Sequence, residues 1–321
     1  MFYGKKRVVV VLFISLILAY YQTIRIDAPN YELKLKRHTS VIDNSIEYPY
    51  KYRLLNPFIT EIWIGILNQF ISPKTAFLAG YLIQNVIVYG FMLFSVFSFF
   101  RLWFNHTGSL ICLLYFSILI PLSLTGYDTL GDITTAGIMS LSFIFMNENK
   151  ERYLYPLIFL GALNELQSIL IVGFYFIAAR ADIRDKKKWM HSAGLLITFL
   201  MAYFIIFLLR GGEAGASDVK WYFTKDAEFN LAHKDWIILW AVMIVPLIIF
   251  AVRNFSVKPE FLKLAATIVL PLFYFLAFFF IARMREIDKA LTIFIILIPL
   301  AFYTIFPMIF KGDTCLADDE R

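Results

Sequence analysis

Long apolar runs, repeated from one end of this chain to the other, limit what it can fold into more than any other feature. A helix needs roughly 20 mainly apolar residues to cross about 30 Å of hydrocarbon. Candidate runs lie at 8–25, 76–100, 109–126, 133–147, 190–209, 236–252, 263–282 and 290–310. A water-soluble core has no room for so many full-length apolar helices. Soluble domains are about 45–50% apolar and about 25% charged, whereas these 321 residues are 60% hydrophobic and 17% charged. The expected fold class is therefore all-α: a polytopic helical membrane protein, with residues 1–321 forming a single integral membrane domain.

The segment 154–180, "LYPLIFLGALNELQSILIVGFYFIAAR", is too long for one straight span and carries Asn164 and Glu165 at its middle. Either it is one long tilted helix or it is a hairpin of two short helices meeting at "LNE". Charge distribution decides between them. Lys5, Lys6 and Arg7 place the N-terminus in the cytoplasm by the positive-inside rule, and the basic loop with Arg180, Arg184 and Lys186–Lys188 asks for the same side. A hairpin puts that loop there. The expectation is about 10 membrane segments, the hairpin included, with both termini and the tail 311–321 cytoplasmic and the loops 26–75 and 210–235 outside. "AYYQTIRI" after the first run offers no small-x-small cleavage pattern, so that run reads as a retained helix.

Several function classes are disfavoured at once. Cys112 and Cys315 set up no disulfide framework, and His38, His106, His191 and His233 are scattered without ligand spacing, so no metal site and no cofactor is expected. No usable histidine stands out for acyl transfer. The net charge of +6 belongs mostly to residues beside membrane segments. Membrane lipid is then the partner, and no nucleic acid is expected.

The first outer loop is the most unusual stretch. "EYPYKYRLLNPF" packs Glu47, Tyr48, Tyr50, Lys51, Tyr52 and Arg53 between greasy segments, and "NPFITEIWIGILNQFI" after it spaces its apolar residues as one helical stripe, with Pro57 in the first turn. That spacing predicts an amphipathic helix lying on the membrane surface. Other polar residues fall at the same depth: Asp27 after the first run, Asp128 and Asp132 in "GYDTLGDI", Asn164, Glu165 and Gln167 at the hairpin tip, and Arg283, Arg285 and Glu286 before the last span. Each also has a plain structural role available. Asp27 suits a solvated loop, Asp128 a turn and Asp132 a helix N-cap. The tyrosines suit an interfacial belt, and Lys51, Arg53, Arg283 and Arg285 suit headgroup anchors. Glu165 is the hardest to leave unpartnered, since a carboxylate in an apolar span costs at least about 2.5–3.5 kcal/mol. A site-lining role and an ion pair with Arg53 or Arg285 both satisfy it.

Four of these stretches resemble a known family. "YPYKYRLLNPFI" is similar to the "YRYR-x-L-x-P" signature of bacterial multi-spanning proteins related to GT-C glycosyltransferases. "GYDTLGDITTAGI" resembles its outer-loop Asp segment, "FLGALNELQSILIV" its "G-x-L-N-R-E-T-x-L-L" segment, and "ARMREIDKALTIFIILIPL" its late Glu-Arg segment. The third reads N-E-L-Q where N-R-E-T is usual, and the fourth reads R-E-I-D-K-A where E-x-R is usual. The resemblance implies a GT-C-like fold. It also implies sugar transfer from a polyprenyl-phosphate donor to a glycan or lipid acceptor at the outer face of the cell (inner or cytoplasmic) membrane, in cell-envelope polysaccharide biosynthesis. On that analogy Asp27 is the general base, with Asp128 or Glu165 as substitutes or sugar ligands. Arg53, Arg285 and Lys51 hold the leaving phosphate, and Glu47, Tyr48, Tyr50, Tyr52, Asp132, Asn164, Gln167, Arg283 and Glu286 complete the substrate site. Two readings of other classes stay open: a transporter or flippase of a lipid-linked or anionic substrate, and a non-catalytic subunit of a polysaccharide assembly system.

Overall fold

A computed structural model describes residues 2–46, 53–124, 126–127, 129–179, 186–210, 226–267, 279–280 and 283–306. Among them every regular element is helical and no strand occurs. The elements are α1 (Phe2–Gln22), a π-helical turn Thr23–Asp27, α2 (Tyr31–Ile42), α3 (Leu55–Leu67), α4 (Pro73–Phe100), α5 (His106–Ser123), α6 (Leu130–Asn147), α7 (Leu154–Asn164), α8 (Ile169–Ala179), α9 (Lys186–Leu209), α10 (Asp235–Val252), α11 (Glu260–Leu264) and α12 (Leu291–Ile305). Among the described residues six stretches are long and apolar enough to cross a membrane: Val8–Asp27, Pro73–Phe100, His106–Ser123, Lys186–Leu209, Asp235–Val252 and Ile287–Ile305. That is fewer than the ten segments expected. The run 133–147 sits in α6, which is not one of the six, and 263–282 lies largely outside the described residues, as does the tail 311–321.

Two helices form the centre. Ile287–Ile305 is 83% buried, against 28% for Lys186–Leu209 and for Asp235–Val252, whose apolar side chains are largely exposed. Buried apolar helices inside and exposed apolar helices outside is the distribution a bilayer permits and water does not. The second central helix is α4, at 28 residues about 42 Å long. Gly80 and Gly137 allow close approach along it: a Cβ on Gly80 would meet Ile64 Cγ1 at 2.8 Å, and one on Gly137 would meet Phe91 Cε1 at 2.5 Å.

The first turns of α4 extend past the end of α1, where α2 and α3 cover them. Asn85 marks the level of Asp27. Beyond it Phe77 and Tyr81 pack against Tyr31 and His38 of α2, and Gly80 against Ile64 of α3. The helix expected to lie on the membrane surface thus starts at Leu55 and runs along α4. Its buried face is Asn56, Thr60 and Ile64, while Phe58, Ile62 and Ile66 point outward. The polar side is inside and the greasy stripe outside, the reverse of a helix on a soluble core.

Residues 154–179 break at Glu165. Its backbone is extended (φ −163°, ψ 146°), and a 3₁₀ turn Leu166–Ser168 leads into α8. The two halves fold back on each other. Tyr155 near the start of α7 hydrogen-bonds His191 at 3.0 Å, and Phe176 near the end of α8 packs its ring on Trp189, centroids 4.9 Å apart. Both contacts lie in the first turns of α9, whereas Leu163 at the tip packs with Tyr203 and Ile206 near its far end. Gly161 permits the turn, because a Cβ there would meet Ser168 Cβ at 2.7 Å.

The chain therefore has two ends. One collects Asp27, α2, the start of α6, the hairpin tip, residues 226–236 and residues 283–290. The other holds an aromatic cluster of Phe99, Trp103, Phe143, Phe174 and Phe261. Lys258 closes α10 there by donating to the carbonyls of Phe250, at 2.9 Å, and Ala251, and burial pushes its amine down to about 8.

Candidate functional site

Two adjoining cavities open at the polar end. A small pocket of about 50 Å³ is lined by Lys34, Arg37, His38 and Arg53, with Asn56, Tyr81, Tyr127 and Asn164 among its walls. A larger cleft of about 630 Å³ is lined by Arg37, Arg53, Tyr127, Asp132, Phe229, Arg283, Arg285, Glu286, Asp288 and Lys289, among others. Arg37, Arg53 and Tyr127 belong to both and form the partition between them.

Arg53 emerges from the first loop just before α3, where Leu54 donates its N–H to the Leu163 carbonyl at 2.9 Å. That bond ties the loop to the hairpin tip and sets the Arg53 guanidinium on Glu165, 2.5 Å away. Glu165, 3% exposed, also accepts from Thr135 Oγ1 at 3.3 Å. Its burial is satisfied by the ion pair, one of the two roles the sequence offered. Next to it, Asn164 donates to the Gly131 carbonyl and to Thr135, and accepts from Asn56, which in turn accepts from Gln84. These amides spend their donors and acceptors on one another, so they act as a fixed wall.

Asp27 does not stand in a solvated loop. It is fully buried in the π-helical turn, 2.6 Å from Lys34 Nζ, and accepts from Asn85 at 3.2 Å. It lines neither cavity; its partner Lys34 does. Asp132 does not cap α6 either, since Thr129 holds the N-cap position and Asp132 lies inside the first turn. Its carboxylate is buried and borders the large cleft, and Oδ1 has no hydrogen-bond partner among the described residues. Glu165, Asp288, Lys289 and Arg53 all lie within its electrostatic reach.

Arg283, Arg285 and Glu286 form the opposite wall. Asn230 anchors it by donating to the Phe279 carbonyl and accepting from the Met284 N–H, both at 2.8 Å, and Trp240 donates to the Met284 carbonyl at 2.6 Å. Arg285 pairs with Asp235 at 3.2 Å, Glu286 pairs with Lys289, and Arg283 lies over the Phe229 ring. Arg283 also approaches Asp226, whose carboxyl burial pushes up against the pull of that arginine. Gln167, half-buried in the turn after Glu165, is not among the lining residues. Glu47, Tyr48, Tyr50, Lys51, Tyr52 and Asp128 lie outside the described residues.

Sequence reasoning missed the α2 contribution. His38 is buried, with Nε2 2.7 Å from Glu61 and Nδ1 2.9 Å from the Tyr81 hydroxyl, so one histidine is built into the site after all. Burial lowers the His38 pKa, Glu61 pulls it up, and Lys34 pushes it down further. Lys34 Nζ sits 3.8 Å from the centre of the Tyr81 ring. The available signal was the spacing of Lys34, His38 and Val41, one face of a helix, now the buried face of α2. Comparison with family models, with curated proteins and with solved structures finds no match.

Proposed function

We propose that this chain is a GT-C-like membrane glycosyltransferase that moves a sugar from a polyprenyl-phosphate donor to a glycan or lipid acceptor. In this reading the polar end faces outward from a cytoplasmic membrane and both termini face the cytoplasm. The bilayer is crossed or entered by the six long helices, α6, the two halves of the hairpin and the segment 263–282. The observation that carries the reading is the large cleft. Arg53, Asp132 and the pair Arg285 and Lys289, from three segments far apart in sequence, border one space of about 630 Å³ at the end of a membrane bundle. A cavity of roughly 300–1,000 Å³ is the usual size of a small-ligand site.

The chemistry follows from the residue types. An acceptor hydroxyl loses its proton to a carboxylate as its oxygen attacks the anomeric carbon. The bond from that carbon to the phosphate oxygen breaks, and the lipid phosphate leaves with the electron pair. Guanidinium groups hold the growing charge through paired hydrogen bonds. Asp27 is occupied by Lys34, so the base assigned here is Asp132, which borders the cleft and whose Oδ1 has no hydrogen-bond partner among the described residues. Arg53, on the partition between the two cavities, holds the phosphate, Arg285 faces the sugar from the opposite wall of the cleft, and Tyr127 offers it a ring face.

The test is transfer from a radiolabelled polyprenyl-phosphate sugar in membranes containing the protein. Asp132→Asn should lower turnover by about 100-fold or more with the folded protein retained, and full activity in that variant removes Asp132 from the mechanism. The transport reading has one observation in its favour: two half-length helices meet at the polar tip Asn164–Glu165, an arrangement found at transporter substrate sites. It expects lipid movement that tolerates Asp132→Asn.

A further inference from the structure

The small pocket is distinct in character from the cleft beside it. Four basic side chains line it, Lys34, Arg37, His38 and Arg53, and among the described residues no carboxylate does. Carboxylates stand behind three of these side chains instead. Asp27 holds Lys34 at 2.6 Å, Glu61 holds His38 at 2.7 Å and Glu165 holds Arg53 at 2.5 Å. Lys34 and His38 are only 4% and 5% exposed, so their positions are set by packing rather than by solvent. Tyr81 adds a hydroxyl bonded to His38 and a ring face under Lys34. Asn56 and Asn164, engaged with each other, fix the far wall.

Its size narrows the ligand. A cavity needs roughly 10–15 Å³ of this kind of space for each water it holds, so about 50 Å³ suits a group with three to five oxygen-sized atoms. That is a tetrahedral oxyanion; a sugar ring is too large.

We propose that the small pocket binds a single phosphate group, with Lys34, Arg37 and Arg53 as its charged contacts, and that the rest of the ligand passes the Arg37–Arg53–Tyr127 partition into the large cleft. The phosphate site stands on its own geometry; only the identity of what it carries rests on the transfer reading. In that reading the donor is linked through one phosphate, not a pyrophosphate, and its sugar occupies the large cleft.

The experiment is calorimetric binding to the full chain in maltoside micelles free of phospholipid, with farnesyl phosphate, inorganic phosphate and farnesol as probes. Farnesyl phosphate should bind about tenfold or more tightly than farnesol, and Arg37→Gln should weaken it by about tenfold, the effect of losing a charge-assisted bond. Arg37→Lys should keep most of the affinity, which separates loss of charge from loss of fold. Inorganic phosphate binding as tightly as farnesyl phosphate supports the pocket but makes its occupant a soluble phosphate. Phosphate binding without sugar transfer likewise supports the pocket while removing the transferase reading. Equal affinity for farnesol overturns the proposal. So does a loss confined to Arg283→Gln with Arg37→Gln unaffected, because Arg283 lines only the large cleft.

Discussion

Glu165 shows what a buried carboxylate in an apolar chain demands of its neighbours. Its oxygens are taken up by Arg53 and Thr135, so removing the arginine alone strands a charge away from water. Arg53→Ala is expected to cost about 3–5 kcal/mol, whereas the double change Arg53→Met with Glu165→Leu should cost far less; thermal unfolding in detergent measures both. The pairing was within reach of sequence reasoning, since an unaccompanied glutamate in a greasy run requires a cation and Arg53 was one of two offered. The Asp27–Lys34 pair was not, because it depends on a π-helical turn and on α2, and neither announces itself in "TIRIDAPNYELKLK". His38 carries a pH signature. Its folded pKa is depressed by burial, so the neutral ring contributes stability above the ordinary value of about 6.5, and that contribution falls away as pH drops through the lower folded value. The unfolding temperature should therefore decline on the acid side of about pH 6.5, and His38→Gln should flatten that part of the curve. An unchanged slope in the variant would assign the acid sensitivity to another group.

At the scale of elements, the hairpin was legible and the loop before α4 was only partly so. Length and the polar pair Asn164–Glu165 were enough to propose a break, because a straight helix through a bilayer has no place for 27 residues with a charge midway. What makes the turn possible is less visible: Gly161, where any side chain meets Ser168. Gly161→Leu should destabilise the tip, with the cost of overpacking, about 1–3 kcal/mol, and should expose α8 to limited proteolysis. Wild-type protease resistance in that variant would mean the two halves do not meet as described. The apolar stripe of α3 was also readable, but not the partner of its other face. Asn56 points inward because Gln84, Thr134 and Asn164 await it there, and contacts between residues so distant in sequence leave no local periodicity. The start of α6 was misjudged for a related reason: an aspartate before an apolar run reads as a cap unless the turn continues past it, and here Thr129 takes the cap position.

For the molecule as a whole, the arrangement of helices separates two ends with different chemistry. The start of α6, the hairpin tip, residues 226–236 and residues 283–290 meet at one end, and an aromatic cluster with Lys258 occupies the other. Composition was sufficient for a helical membrane protein, because nothing else accommodates so many exposed apolar helices. It was not sufficient for the cleft, which joins the segment 283–289 to Arg37, Arg53, Tyr127, Asp132 and Phe229 from distant parts of the chain. The proposal for this cleft is that it opens outward and takes in the body of a lipid phosphate whose phosphate group sits beyond the Arg37–Arg53–Tyr127 partition. It is tested most directly by placing a cysteine at position 285, with Cys315 replaced by serine and buried Cys112 left in place, and labelling intact cells with a membrane-impermeant maleimide in the presence and absence of added polyprenyl phosphate. Labelling from outside is expected at 285, suppressed by the lipid phosphate and not by the free prenol. Labelling only after the membrane is broken open, or labelling that the lipid phosphate leaves unchanged, would contradict it.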